Sequence, residues 1–321
     1  MDVQGIVQME EAPRREVDAG PMGGTWWDIG RAGGSVTTGL RRIQVAPGRR
    51  ATPAHAHDAE EEIFYVLGGE GLSWQDGKTC RVKAGDCIVH PAGGPAHTLV
   101  AGPEGVDALA FGTRRDAAAC RLPRAGVAWL GDSWVTIGEE PHPWAREAAA
   151  GELDCPEPGE RFASVVATDD VEAVARHAGD TDRLVRQLGR AAGASLTGLN
   201  HFVVRPGAIS CPPHVHAAEE EIFVVLEGEG ALELYECGAA APGAPRDMAV
   251  RPGTVVVRPA GTGVAHAFRA GGAGLTMLAY GERRTDETTF YPRSHKLSFR
   301  GLGVVGRMEL CDYWDGESPA E

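Results

Sequence analysis

The chain has 321 residues and a mass of 33.8 kDa, which is enough for two domains that each bury a core of their own. A formal net charge of −14 and a pI near 5.3 argue against nucleic acid and an anionic membrane surface as partners. No stretch reaches the roughly 20 apolar residues of a transmembrane helix. The N-terminus has no secretory-signal pattern and the seven cysteines form no Cys-x-x-Cys pair, so a cytoplasmic protein with reduced thiols is expected.

Turn signals divide the chain into short predicted strands. The 44 glycines and 21 prolines indicate many tight turns and favour an all-β fold. Residues 1–25 are predicted to form a poorly ordered arm unless they dock on a folded domain. Residues 116–185 interrupt the strand pattern, and the capping residues that open Asp169–His177 predict a short helix there. Apolar runs predict strands over Ile63–Leu67, Asp86–Val89, Ile222–Leu226 and Thr254–Val257.

The sequence is a tandem duplication with an offset of 159 residues over its most similar part. Gly30–Leu40 aligns with Gly189–Leu199, and Glu60–Leu67 aligns with Glu219–Leu226. In all, 24 of the 42 positions from 30 to 71 are identical in the two copies without a gap. Later insertions fall in Gly/Pro-rich turns, as expected of a duplicated β-scaffold.

Each copy contains a His-x-His pair, a glutamate five residues later and a third histidine further along. Three imidazoles and one carboxylate make a complete set of protein ligands for a divalent transition metal. Residues two apart on a strand point to the same face, so both histidines of each pair can face a barrel interior. The candidate ligands are His55, His57, Glu62 and His97 in the first copy and His214, His216, Glu221 and His266 in the second.

The neighbouring residues leave alternatives open. Each glutamate belongs to a run of three, and strand alternation does not choose between Glu61 and Glu62 because the apolar runs that follow are continuous. The other glutamates of the runs, residues 60, 61, 219 and 220, are expected to be solvated, with a role beside the metal left open. Cys211 lines the second site or is a buried structural thiol. His90 aligns with Arg258, so His90 is not a duplicated ligand. Two roles are open for four apolar residues, which form either the wall of the pocket or plain barrel core: Phe64, Val66, Phe223 and Val225.

The pattern resembles the cupin superfamily. In the first half it reads Gly48…His55-x-His57-x4-Glu62…Gly69, then Gly85-x5-Pro91-Ala-Gly93…His97. The second half repeats it from Gly207 to His266, and both halves have slightly stretched spacers. The resemblance selects Glu62 and Glu221 as the carboxylate ligands. It implies two tandem double-stranded β-helix (jelly-roll) barrels, over residues 26–115 and 186–284, with a mixed connecting segment over 116–185 and a C-terminal segment over 285–321.

The chain also resembles loosely characterised prokaryotic bicupins, through Gly281-Glu-Arg-Arg284 and Tyr313-Trp-Asp-Gly316. That group supplies no activity and no catalytic residue beyond the metal ligands, but it leads us to expect a homo-oligomer. The ligand set predicts Fe(II) or Mn(II), with Ni, Co, Cu or Zn as alternatives. We expect an enzyme, foremost a dioxygenase of a small aromatic, enol or hydroxy-acid substrate. The alternatives are a non-redox lyase or isomerase of the oxalate-decarboxylase kind and a non-catalytic small-molecule-binding protein.

Overall fold

The computed structural model describes residues 5–115, 118–130, 133–136, 143–237, 243–311 and 314–316. The strands of the first half are β1 Ile6–Gln8, β2 Arg14–Ala19, β3 Met22–Trp27, β4 Thr38–Val45, β5 Ala56–His57, β6 Glu62–Gln75, β7 Lys78–Lys83, β8 Asp86–His90, β9 His97–Thr113, β10 Ala119–Leu122, β11 Val127–Leu130 and β12 Ser133–Thr136. Those of the second half are β13 Val165–Ala167, β14 Val174–Ala178, β15 Thr181–Arg186, β16 Thr197–Val204, β17 Val215–His216, β18 Glu221–Glu236, β19 Arg246–Val250, β20 Thr254–Arg258, β21 Val264–Glu282, β22 Thr288–Tyr291, β23 Lys296–Phe299 and β24 Val304–Arg307. The α-helices are α1 Ile29–Ala32, α2 Pro143–Ala149 and α3 Leu188–Ala191, and short 3₁₀ turns cover Met9–Glu11, Thr168–Asp170 and Arg300–Leu302.

Each half of the described chain forms one large and one small antiparallel sheet. In the first half the large sheet has the order β13-β8-β6-β9-β4-β3-β2, with β7 also on β6, and the small one β12-β11-β10-β5. In the second half the orders are β1-β20-β18-β21-β16-β15-β14, with β19 on β18, and β17-β22-β23-β24. Strands β1 to β12 thus recur as β13 to β24. The predicted all-β fold of two tandem jelly-roll barrels is confirmed.

The two halves exchange their first strands. β1 pairs with β20 of the second half, where Ile6 lies opposite Val256, and β13 pairs with β8 of the first half, where Val165 lies opposite Ile88. The N-terminal residues from Ile6 onward, predicted as a loose arm, therefore form strands, because docking on the second half satisfies their backbone groups. The boundaries at residues 26 and 186 stay predictions, and the strand correspondence starts each repeat earlier in the chain.

The central strands β6 and β18 are buried on both faces. In β6, Phe64 and Val66 belong to the core inside the first barrel, whereas Ile63 and Tyr65 belong to an apolar core shared by the two halves. β18 repeats this arrangement. This double burial is the reason for the continuous apolar runs in the sequence. It also divides the glutamates: residue 62 shares the inward parity of Phe64, and residue 61 shares the parity of Ile63.

A pair of buried glutamates joins the two halves reciprocally. The carboxylate of Glu61 accepts hydrogen bonds from the backbone N–H groups of Ser195 and Thr197, at 3.0 and 3.1 Å, and from the Thr197 hydroxyl. Glu220 accepts equivalent bonds from the other half, from Ser35 Oγ at 2.7 Å, Val36 N, Thr38 N and the Thr38 hydroxyl. The expectation that these glutamates are solvated was wrong, since residues 61, 219 and 220 are all buried. The sequence did not reveal that a second barrel covers this face.

The connecting segment differs from its prediction in the position of its helix and in its strands. The prediction of a helix over Asp169–His177 was wrong: the capping residues form only the 3₁₀ turn Thr168–Asp170, and the following β14 pairs with β15 in a hairpin. Tertiary strand pairing overrides the local capping signal there. The short helix of the connecting segment is α2 instead, and the same segment contributes β10–β12 to the first barrel's small sheet. None of the described helices is long and apolar enough to cross a membrane.

Replacing Glu61 with alanine is expected to lower the free energy of unfolding by about 3 kcal/mol, because buried N–H donors of the other half lose their acceptor. Urea unfolding followed by circular dichroism measures the change. The matched control is Glu104→Ala, at an exposed glutamate, which should stay within about 0.5 kcal/mol of the parent. A loss below about 1 kcal/mol for Glu61→Ala would contradict a stabilising role for this contact.

Candidate metal centres

The first four candidate ligands converge on a single point inside the first barrel. Glu62 begins β6 and His97 begins β9, while His55 forms an isolated bridge with His97 and His57 lies on β5. The Nε2 atoms of His55, His57 and His97 lie 3.3, 3.5 and 3.1 Å from one oxygen of Glu62, its Oε2. Glu62 and His97 thus come from the large sheet and His57 from the small one, so strands of both sheets hold the donors together.

The second cluster repeats this geometry in the second barrel. From Glu221 Oε2, the Nε2 atoms of His214, His216 and His266 lie at 3.7, 3.1 and 3.1 Å. Bonds of about 2.1 Å to one ion, set at right angles, place neighbouring donors about 3.0 Å apart. In each cluster the distances from the glutamate oxygen to the three imidazole nitrogens are therefore close to those expected of ligands that bind one divalent ion. The eight candidate ligands thus lie in the two groups of four that the sequence predicts.

Hydrogen bonds to proline carbonyls on the far side of the ring orient three of the six imidazoles. The Nδ1 atoms of His55, His97 and His214 lie 2.9, 3.1 and 3.0 Å from the carbonyl oxygens of Pro53, Pro95 and Pro212, respectively, each two residues earlier. A carbonyl oxygen only accepts, so Nδ1 carries the proton and donates. The Nε2 lone pair is then free to bind a metal, which is the usual arrangement of metal-ligating histidines.

Carboxylates lie behind His57 and His216 instead, and here the two sites differ. Glu60 Oε2 lies 3.3 Å from His57 Nδ1 in the first site. In the second site Glu287 Oε1 takes this role at 2.9 Å from His216 Nδ1, and the other oxygen of Glu287 accepts from the backbone N–H groups of Ala218 and Glu219. Sequence reasoning missed Glu287, because its position in the first copy is an alanine and the comparison of repeats gives no signal.

The carboxylates are ionised and paired with a cationic imidazole in the metal-free protein. Burial acts to raise the pKa of Glu62, but His57 and the hydrogen bonds from the other imidazoles outweigh it and hold that pKa well below its usual range. Glu221 behaves in the same way. Burial acts to lower the pKa of His57, yet Glu62 and Glu60 raise it to about 10, and Glu221 and Glu287 raise that of His216 to about 9. Burial lowers the pKa of His266 to about 3, so this ring is neutral.

The glutamate marks the solvent side of each cluster. The Glu62 and Glu221 side chains keep 22% and 20% of their surface exposed, whereas the side chains of His97 and His266 keep 3% and 2%. A small ligand would therefore approach from the carboxylate side. A separate surface cavity of about 460 Å³ opens between residues 70–72, 81–86 and 155–161 and includes none of the eight ligands.

Two cysteines lie beside the clusters. Cys211 Sγ lies 3.6 Å from His214 Nδ1; burial acts to raise the pKa of this thiol, but His214 lowers it to about 7. Cys120 on β10 lies opposite His57 and close to both histidines of the first pair. The four residues predicted as pocket wall or core all lie in the barrel cores: Phe64, Val66, Phe223 and Val225. The Phe223 ring also packs edge-on against the His266 ring, with 5.4 Å between the ring centroids.

Comparison with known proteins identifies the family. Residues 41–110 and 200–279 each match the family model of the cupin domain. A Thermotoga maritima oxalate-binding protein is 36% identical over 58 residues, which is 18% of this chain and 46% of that relative, so the match spans less than half of the relative's length. The chain belongs to the cupin superfamily and is a bicupin, with two cupin domains in tandem.

Solved structures of bicupins share this fold. The oxalate decarboxylase of Lactobacillus farciminis, in its formate complex, matches with a TM-score of 0.57 at 16% identity, over 88% of this chain and 87% of that chain. The oxalate decarboxylase of Bacillus subtilis matches with a TM-score of 0.55 at 15% identity, over 86% of this chain and 75% of that chain. At these identities the likeness extends to the fold alone.

Replacing His57 or His216 with alanine is expected to remove about one metal equivalent per chain in each case, because loss of one of four ligands largely empties a site. Mass spectrometry of the metal content measures this on protein prepared without an affinity tag. His177→Ala, at an exposed histidine outside the clusters, serves as the control. Full metal retention in either ligand variant would refute the ligand assignment.

Metal binding at the first site is expected to release about one proton near pH 7.5. His57, with its pKa of about 10, is protonated there in the metal-free protein and must lose that proton to bind through Nε2. Glu62 is already ionised and releases none. The affinity should accordingly rise with pH up to about pH 10. Calorimetry of the His216→Ala protein in two buffers of different ionisation enthalpy counts the protons, and a count near zero would contradict this charge state.

Proposed function

We propose that this bicupin is a Mn(II)-dependent lyase that acts on a small, oxygen-rich carboxylic acid of the oxalate type. The observation that carries the proposal is the convergence of three imidazole Nε2 atoms and one carboxylate oxygen, present twice. A divalent ion supplies a Lewis acid for a chelating carboxylate. Because the imidazoles are neutral ligands and only one carboxylate is present in each set, the loaded sites keep a positive charge and favour an anion.

The comparisons support this substrate class. The Thermotoga maritima relative is an oxalate-binding protein, and the solved structures of similar fold are oxalate decarboxylases. Manganese is proposed because the centres of the Bacillus subtilis enzyme are described as Mn(II). Nitrogen and carboxylate ligands without a thiolate in the set also suit that ion.

The sequence-based preference for a dioxygenase is not supported by these comparisons, which favour the decarboxylase-like alternative. The two reactions differ in their balance. In the lyase reaction the carbon–carbon bond of the oxalate dianion breaks, carbon dioxide leaves and a proton taken up from solvent takes its place on the remaining carbon, which gives formate. A dioxygenase instead incorporates both atoms of one O₂ into the product for each turnover.

Incubation of the Mn(II)-loaded protein with oxalate is expected to give formate and carbon dioxide in equal amounts without stoichiometric O₂ uptake. An oxygen electrode and formate quantification measure both quantities. The protein carrying both His57→Ala and His216→Ala is the control and should be inactive.

Each outcome of this experiment separates the candidate functions. Uptake of one O₂ for each substrate consumed, with oxalate or with a catechol or enol, would replace the lyase with a dioxygenase. Binding of oxalate without turnover would leave a binding protein.

A further inference from the structure

One position beside the metal ligands differs in charge between the two sites. Glu62 lies directly opposite His90 across β6 and β8, and Glu221 lies opposite Arg258 across β18 and β20. Directly opposed residues of an antiparallel pair project from the same face of the sheet. His90 and Arg258 therefore occupy equivalent places and project into the interiors of their barrels, next to the carboxylate ligand.

His90 presents a buried, unpartnered ring to the first site. It is buried, and its ring stacks on that of His97 with a centroid distance of 3.6 Å and an interplanar angle of 2°. Neither ring nitrogen has a hydrogen-bond partner among the described residues. The first site therefore has a buried imidazole at the place where the second site has a guanidinium.

Arg258 brings a permanent cation to the second site. Its Nη2 donates to the Val264 carbonyl at 2.6 Å and to Thr262 Oγ1 at 3.2 Å, and Val264 stands two residues before the ligand His266. The buried Nε has no hydrogen-bond partner in the described part of the chain, and the carboxylate whose charge acts on this guanidinium is the candidate ligand Glu221. A guanidinium with an unused donor beside a metal-bound carboxylate is suited to bind an anion.

The remaining charges near the two sites do not cancel this difference. Behind His57 the first site has Glu60. Behind His216 the second site has Glu287 and Glu219, and the latter is paired with Arg300. Each site thus keeps one carboxylate without a cationic partner on the outer side of its imidazole. Arg258 is thus a fixed cation beside the second site, and the equivalent position of the first site holds His90 instead.

We infer that Arg258 makes the second site the one that binds a dianionic carboxylate substrate, with one carboxylate on the metal and the other on the guanidinium. The first site, with His90 in that position, binds such an anion more weakly. This inference rests on the proposed function for its substrate class. It adds a substrate-binding residue that lies outside the metal-ligand pattern.

Single-site proteins test the inference directly. The His57→Ala protein keeps only the second site, and the His216→Ala protein keeps only the first. Each is loaded with Mn(II) and titrated with oxalate by calorimetry, and metal analysis checks that one equivalent is bound. The second site is expected to bind oxalate about tenfold more tightly, since a charge-assisted hydrogen bond from the guanidinium is worth about that factor.

Exchanging the two residues provides matched variants. Arg258→His in the second-site protein should reduce the oxalate affinity to that of the first site, and His90→Arg in the first-site protein should raise it about tenfold. Imidazole, a neutral metal ligand, should bind with unchanged affinity in both exchanges. Oxalate affinities that are the same before and after the exchanges would overturn the role of Arg258 but not the proposed substrate class. Loaded sites that bind imidazole but no oxalate would overturn the proposed substrate class instead.

Discussion

Burial of the central strands on both faces is the constraint on which the rest of this structure depends. β6 and β18 each send one set of side chains into their own barrel and the alternate set into the core shared by the two halves. Successive glutamates at the start of each strand consequently have different environments. Glu62 faces the cluster of candidate metal ligands, whereas Glu61 accepts hydrogen bonds from the opposite half. The candidate ligand and the inter-barrel contact are adjacent in the chain, so the position of each carboxylate is fixed by the packing of both barrels.

Much of the fold was predictable from the sequence because each motif occurs twice. The duplicated spacing of histidines and glutamates located both clusters, and the structure brings those eight side chains together as expected. What depended on contacts between distant segments was not predictable. Glu287 reaches His216 from the segment before β22, and Glu220 is buried only because the first half covers it. A separate error was local: capping residues predicted a helix where β14 and β15 pair in a hairpin.

The duplication preserves the ligands while the residues around them diverge. Both clusters use the same atoms, and three of their rings are oriented by proline carbonyls in the same way. Around this shared arrangement the carboxylate behind the second histidine comes from a different place in each half, and the residue opposite the glutamate ligand is His90 in one half and Arg258 in the other. A scaffold that holds the metal ligands on strands allows these neighbours to change without moving the ligands.

The exchange of first strands also sets an order of events while the chain is being synthesised. β1 is made first, yet its partner β20 is among the last strands to appear, since Ile6 lies opposite Val256. β13 has the opposite history, because β8 has already been made when Val165 emerges to pair with it. The nascent chain therefore carries an unpaired strand and an uncovered apolar sheet face for most of its synthesis, which is the kind of exposed surface that chaperones protect.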